Sequence, residues 1–188
     1  MMKTIDWLIT MGLISLNILL GIFIYNGYQQ SKVHIPVIEN TTVVIQQPVK
    51  QFTQLVWVKP IKLDKKQLQC LRMNVFYEAG VESKLGKLAV AQVTMNRVES
   101  SRYADTVCSV VYDKYQFSWT LDKSKRFKTP SGPLWKESKQ VVDQFLKGAR
   151  IANLEDSMYY HTDKVKPKWS SSMEKVAQIG NHLFFTNN

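Results

Sequence analysis

The chain has 188 residues, a formal net charge of +10, and 45% hydrophobic, 11% aromatic and 21% charged residues. That length holds one domain of ordinary size plus an accessory segment and excludes two full domains. The apolar content excludes a disordered chain, and two cysteines exclude a disulfide-built miniprotein; the charge points to a polyanion, whether nucleic acid, an anionic membrane surface or an acidic wall polymer.

From Trp7 to Tyr25 no residue is charged, and Leu, Ile, Phe and Met dominate. Nineteen helical residues span roughly 28 Å, against a hydrocarbon core of about 30 Å. Trp7 at one end and Tyr25 and Tyr28 at the other stand where amphipathic rings sit at membrane interfaces. Residues 1–28 are therefore predicted to be a signal anchor whose transmembrane helix covers residues 7–25. The alternatives are a cleavable signal peptide and a buried core helix. The lack of an Ala-x-Ala-like site argues against the first, and the lack of a polar face against the second. The expected location is a single pass through the inner or cytoplasmic membrane, with the rest of the chain on the periplasmic or wall side.

Residues 29–66 read as an extracytoplasmic tether, rich in Gln, Thr and Val and punctuated by Pro36, Pro48 and Pro60. Its β-favouring runs, Thr41–Ile45 and Leu55–Val58, suffice for one marginal hairpin at most. Residues 67–188 form the remaining domain. It contains both cysteines, Cys70 and Cys108. Outside the cytoplasm they are disulfide candidates, closing a loop of about 38 residues worth ~3–4 kcal/mol in the chain-entropy model; two buried thiols are the alternative.

Within that domain Leu68, Leu71, Val75 and Ala79 recur at helical spacing, and Gly80 follows as a stop. Glu78 thus falls near a helix C-terminus, beside Phe76 and Tyr77. The partial negative charge of that terminus and desolvation by aromatic neighbours both raise a carboxyl pKa, as a general acid requires. The plainer reading is a solvated surface carboxylate. Lys84–Glu99 is a second helix, apolar on more than one side and so the central one; Asn96 and Arg97 close it, either capping it or reaching a cleft. A third helix starts at Pro133, buries Trp135, Val141, Val142 and Phe145, and ends before Gly148.

Between the second and third helices, Tyr112-Asp113-Lys114-Tyr115-Gln116-Phe117-Ser118-Trp119 mixes aromatic and polar side chains. Such a stretch suits carbohydrate, which stacks on rings and bonds to amides and hydroxyls, but it equally suits ordinary core packing. Lys123, Lys125, Arg126 and Lys128 form the densest basic cluster, fit for an acidic wall polymer, a phospholipid, or simply a solvated loop.

Seven elements in order resemble the SleB/CwlJ-type cell wall hydrolases, the spore cortex-lytic enzyme family, which includes bacterial and phage wall-lytic proteins. They are Tyr77-Glu78-Ala79-Gly80-Val81-Glu82; Gly86 to Val93 with Asn96-Arg97-Val98; Val107 to Tyr112; Gln116-Phe117-Ser118-Trp119; Tyr159-Tyr160-His161; Pro167-Lys168-Trp169; and Ile179 to Phe185. The resemblance implies a helix-rich α+β, lysozyme-like catalytic domain with a small β element, behind the N-terminal transmembrane helix. That element is expected near Tyr112–Thr120 and around Ser157–His161 or Leu183–Phe185.

The resemblance also implies cleavage of peptidoglycan between amino sugars, with Glu78 as catalytic acid/base. In a lytic transglycosylase one carboxyl suffices. A hydrolytic muramidase would pair Glu78 with a second carboxylate, of which Glu82 is the nearest in sequence. Glu82 reads more readily as structural or substrate-positioning. At Gly80-Val81 the sequence departs from the Arg-Gly pair common in the family, which affects how Glu82 is held. Tyr77, Glu82, Gln116, Ser118, Trp119, Tyr160, His161 and Trp169 are the expected substrate-binding or site-supporting residues.

A zinc amidase needs three ligands around an open position, yet His34 lies in the tether and there is no His-Glu-x-x-His. No metal or other cofactor is expected, and no nucleic-acid fingerprint is present. The expected partners are peptidoglycan and, through residues 7–25, the membrane; no obligate protein partner is implied. A catalytically silent, membrane-anchored wall-binding protein is the non-enzymatic alternative. An endolysin and a cellular wall-remodelling enzyme fit these residues alike.

Overall fold

The computed structural model describes residues 54–187. The expected membrane span over residues 7–25 and most of the tether lie outside the described residues; among those described, no helix is long and apolar enough to cross a membrane.

Strand β1 (Leu55–Trp57) pairs antiparallel with β2 (Ala149–Ile151), Leu55 facing Ile151. The chain then runs along the domain, with Val58 N–H bonded to Gly148 O and Ile61 N–H to Leu146 O, both at 2.9 Å. Ile61 and Leu63 pack on the core. Residues 55–63, assigned above to the tether, are thus part of the folded domain. Pro60 is compatible with this because the donors are its neighbours and its own missing N–H has no ladder bond to make. Gly148 sits at φ +110°, and a Cβ there would overlap Val58 O.

Helix α1 (Lys65–Ala79) starts at Asp64, whose side chain accepts from Gln67 N–H at 2.8 Å. Helix α2 (Lys84–Glu99) starts at Ser83, which accepts from Gly86 N–H at 3.2 Å. Gly86 to Met95 are all buried, so α2 is the central helix that the run of apolar residues predicts. Short α3 (Val107–Val111) is tied to α1 by the Cys70–Cys108 disulfide, Cα to Cα 5.3 Å. A further short helix, α4 (Lys123–Arg126), carries Lys123, Lys125 and Arg126 of the basic cluster on the exposed surface, with Lys128 just beyond it. Helix α5 (Pro133–Leu146) packs Trp135, Val141, Val142 and Phe145 inward, with Pro133 in its first turn. Around this helical core β3 (Tyr159–Thr162), β4 (Glu174–Ile179) and β5 (His182–Thr186) form an antiparallel sheet in the order β3-β5-β4. The domain is helix-rich α+β.

Buried polar side chains of α2 and α1 join the two layers. The Gln92 amide donates to Ile151 O at 3.0 Å and accepts from Ile151 N–H at 2.7 Å, pairing with β2 as a neighbouring strand would. Asn74 donates to Thr94 Oγ1 and accepts from Trp119 Nε1, each at 3.0 Å. With these bonds made, burying the amides carries no desolvation penalty for an unmade partner.

The expected β element at Tyr112–Thr120 is not a strand. Asp113 Oδ1 accepts from Lys114 N–H at 2.8 Å, Tyr115 adopts φ +64°, and Ser118–Leu121 is a 3-10 turn locked by Thr120 Oγ1 on Phe117 O at 2.7 Å. These local side-chain bonds compete with a ladder and win. The expected strands at Ser157–His161 and Leu183–Phe185 are present as β3 and β5.

Candidate active site

Glu78 occupies the last turn of α1, where unpaired helix carbonyls leave partial negative charge. Tyr160, from β3, donates its hydroxyl to Glu78 Oε2 at 3.1 Å. Burial raises the Glu78 pKa above the ordinary carboxylate value; the Tyr160 bond and the positive charge of Arg97 oppose the rise without cancelling it. Burial also holds the Tyr160 phenol well above its ordinary pKa, so it remains a donor at any working pH.

These groups open on a cavity of about 370 Å³. Tyr159, Tyr160 and Trp169 form one wall, and Tyr115, Gln116 and Phe117 another. Tyr159 and Trp169 pack ring to ring at 5.6 Å. An aromatic wall with an amide and a carboxyl suits a sugar, whose apolar faces stack while its hydroxyls bond. Glu78 is the one carboxylate lining this cavity among the described residues.

Of the residues expected at the site, Glu78, Gln116, Tyr160 and Trp169 come together there. Tyr77 instead stacks on the buried Trp119 at 4.7 Å and donates to Lys125 O at 3.3 Å, so both rings brace the wall from outside the cavity. Ser118 is exposed at the start of the 3-10 turn. His161 faces a neighbouring hollow with Asp163 and Lys166, stacked on Phe185 at 5.0 Å. His182 is buried, which lowers its pKa, and sets its ring edge-on to Tyr160 at 5.3 Å.

Glu82 points elsewhere. Its Oε1 accepts from Asn181 Nδ2 at 2.9 Å, at the β4–β5 turn. Gly180 in that turn has φ +59°, and a Cβ on it would overlap the Glu82 carboxylate. With Gly80 where the family commonly has Arg, the Glu82 side chain is held by the hairpin.

Three cavity residues were not among those expected, Tyr115, Phe117 and Tyr159, whereas Arg97, read above as a cap or as reaching a cleft, does reach it. Asn96 and Arg97 do not cap α2. Asn96 Nδ2 donates to Leu154 O and Ser157 O at 2.7 and 2.8 Å, and Arg97 Nε to Met158 O at 2.8 Å, fixing the approach to β3. The signal for Tyr115 and Phe117 was the aromatic-polar stretch that contains them; which of its rings face a cavity depends on the turn at Asp113.

Residues 81–185 match a family model described as Cell Wall Hydrolase. The chain belongs to the cell wall hydrolase family. The match begins just after Glu78 and so does not include that carboxyl in this cell wall hydrolase. Curated relatives include spore cortex-lytic enzymes of Bacillus cereus, 27% identical over 125 residues covering 66% of this chain and 46% of the relative, and of Oceanobacillus iheyensis, 26% identical over 129 residues covering 66% and 43%. The chain thus spans less than half the length of these relatives. Among solved structures, the catalytic domain of the Bacillus cereus SleB protein superposes with a TM-score of 0.58 at 25% identity, covering 68% of this chain and 95% of that one. The catalytic domain of the germination-specific lytic transglycosylase SleB from Bacillus anthracis gives 0.55 at 23%, covering 68% and 99%, a likeness of fold.

Proposed function

We propose that this cell wall hydrolase degrades peptidoglycan by cleaving the glycan strand between muramic acid and glucosamine, as a lytic transglycosylase with Glu78 as its acid and then its base. The observation that carries this reading is that, among the described residues, one carboxylate lines an aromatic-walled cavity, with a raised pKa and a fixed hydrogen-bond donor. The protonated Glu78 gives its proton to the leaving glucosamine oxygen as the muramic C1–O bond breaks. The resulting carboxylate then takes the proton of the muramic C6 hydroxyl, whose oxygen bonds to C1. Glu78 ends protonated, no water is consumed, and the product is a 1,6-anhydro sugar. A hydrolytic route pairs two carboxylates across the bond, and the engagement of Glu82 with Asn181 favours the single-carboxyl route.

In the same reading, residues 7–25 hold the chain in the membrane with the domain on its extracytoplasmic side, which the Cys70–Cys108 bridge supports. Digestion of purified sacculi followed by mass spectrometry tests the reaction: anhydromuramoyl ends support it, reducing muramic ends indicate hydrolysis, and freed stem peptides contradict both.

A further inference from the structure

The cleft contains a charge that the reaction above does not use. Arg97 lines the cavity from the end of α2, yet its side chain is almost wholly withdrawn from solvent, at 4% exposed. Its Nε is bonded to Met158 O, while Nη1 is buried and, among the described residues, has no hydrogen-bond partner. No carboxylate among those residues lies within ion-pair distance. The rings of Phe117, Tyr103 and Tyr160 surround the guanidinium at 5.4, 5.6 and 5.9 Å. Their faces attract a cation but offer Nη1 no acceptor.

A buried guanidinium with an unmade bond is costly, and the usual compensation is a carboxylate. Glu78 does not supply it in the acid-ready state, because its carboxyl is then neutral and its Oε2 is bonded to Tyr160. With Glu78 protonated, the cleft is therefore lined by a positive charge that no carboxylate among the described residues balances. Muramic acid differs from glucosamine by a lactyl ether that ends in a carboxyl group, and stem peptides attached there end in carboxylates of their own.

We propose that Arg97 binds a carboxylate of the substrate through its guanidinium, so that the cleft selects the muramic unit by charge as well as by stacking. This rests on the glycan-cleaving reading above. The carboxylate comes either from the lactyl group of strands stripped of peptide or from the stem peptide. Because Arg97 and Glu78 share one cavity, the recognised charge and the bond to be cleaved sit on the same sugar.

The test is an NMR titration of the full chain in detergent with N-acetylmuramic acid, its methyl ester, and N-acetylmuramoyl-L-alanyl-D-isoglutamine. A charge-assisted bond to Arg97 gives the acid an affinity at least about tenfold above the ester if the lactyl group is recognised. If the stem is recognised, the dipeptide shows that advantage instead. In Arg97→Gln the advantage disappears; in Arg97→Lys part of it remains. The proposal is overturned if neither carboxylate ligand exceeds the ester in the unmodified protein, a comparison that needs no variant to fold. It is equally overturned if the advantage survives in Arg97→Gln. Equal binding of all three ligands with intact glycan cleavage of sacculi removes the role of Arg97 and leaves the activity standing; no binding and no cleavage removes both.

Discussion

Tyr160 and Glu78, 82 residues apart in sequence, meet at 3.1 Å and join the last turn of α1 to strand β3. The register of β3 against β5 sets Tyr160 opposite Phe184, and the buried His182 packs edge-on to the Tyr160 ring. Strands β3 and β5 thus fix the phenol, and the phenol fixes the carboxyl. Burial pushes the carboxyl toward its neutral form while Tyr160 and Arg97 pull it back. A group that must first donate and then accept a proton works best with its pKa near the working pH.

Replacing Tyr160 with Phe removes a hydrogen bond to the charged form of Glu78, so the Glu78 pKa rises further. Activity that needs the protonated acid is lost as pH rises through that pKa. The alkaline limb of the kcat profile therefore moves to higher pH in Tyr160→Phe, and kcat falls at the optimum. A limb that stays put or moves to lower pH contradicts this coupling.

Glu78→Gln stabilises the fold near neutral pH. A carboxyl with a folded-state pKa above its unfolded value binds more protons when folded, so stability is greatest below the unfolded pKa and declines as pH rises through the folded one. Gln keeps an acceptor for Tyr160 without the charge. Thermal unfolding should show a higher Tm for the variant at pH 8, by roughly 3 °C for each kcal/mol of relief, and little difference at pH 4. A lower Tm at pH 8 contradicts the prediction.

Much of the helical frame was legible because its signals are local. Lys84–Glu99 is the helix in the structure as in the sequence, and Pro133 and Gly148 bracket α5. The position of Glu78 at a helix end follows from the same periodicity. The walls of the cavity were less legible because they depend on distant pairings. Tyr159 is placed by β5, and whether Arg97 caps its helix or reaches a cleft is decided only when the Met158 carbonyl is brought to it. Glu82 stands near Glu78 in sequence, but its partner Asn181 is 99 residues away. The stretch Tyr115–Trp119 alternates aromatic and polar residues as a strand does, and the turn emerges from local bonds such as Asp113 to Lys114 N–H and Thr120 to Phe117 O.

Glu82 and Glu78 should separate cleanly in kinetics. Glu82→Gln keeps an acceptor for Asn181 and is expected to retain kcat within several-fold, whereas Glu78→Gln loses roughly 10²- to 10⁴-fold, the usual contribution of a general acid. Glu82→Ala removes the latch to the β4–β5 turn and costs about 1–2 kcal/mol of stability, read from denaturant unfolding. Equal losses of kcat in the two Gln variants would indicate a second catalytic carboxylate.

The Cys70–Cys108 bridge lies away from the cavity, so its loss should affect stability rather than chemistry. The double variant Cys70→Ala, Cys108→Ala is expected to be ~3–4 kcal/mol less stable. Its kcat should be unchanged at a temperature where it remains folded. Paired denaturant and turnover measurements check both halves.

The central claim is that one carboxyl, Glu78, carries out glycan cleavage by intramolecular attack. Mass spectrometry of sacculi digested in H₂¹⁸O by the unmodified chain and by Glu78→Gln tests it most directly. Anhydromuramoyl ends without ¹⁸O from the first, and intact strands from the second, are the predicted result. Reducing ends that carry ¹⁸O, or unimpaired cleavage by Glu78→Gln, would contradict it.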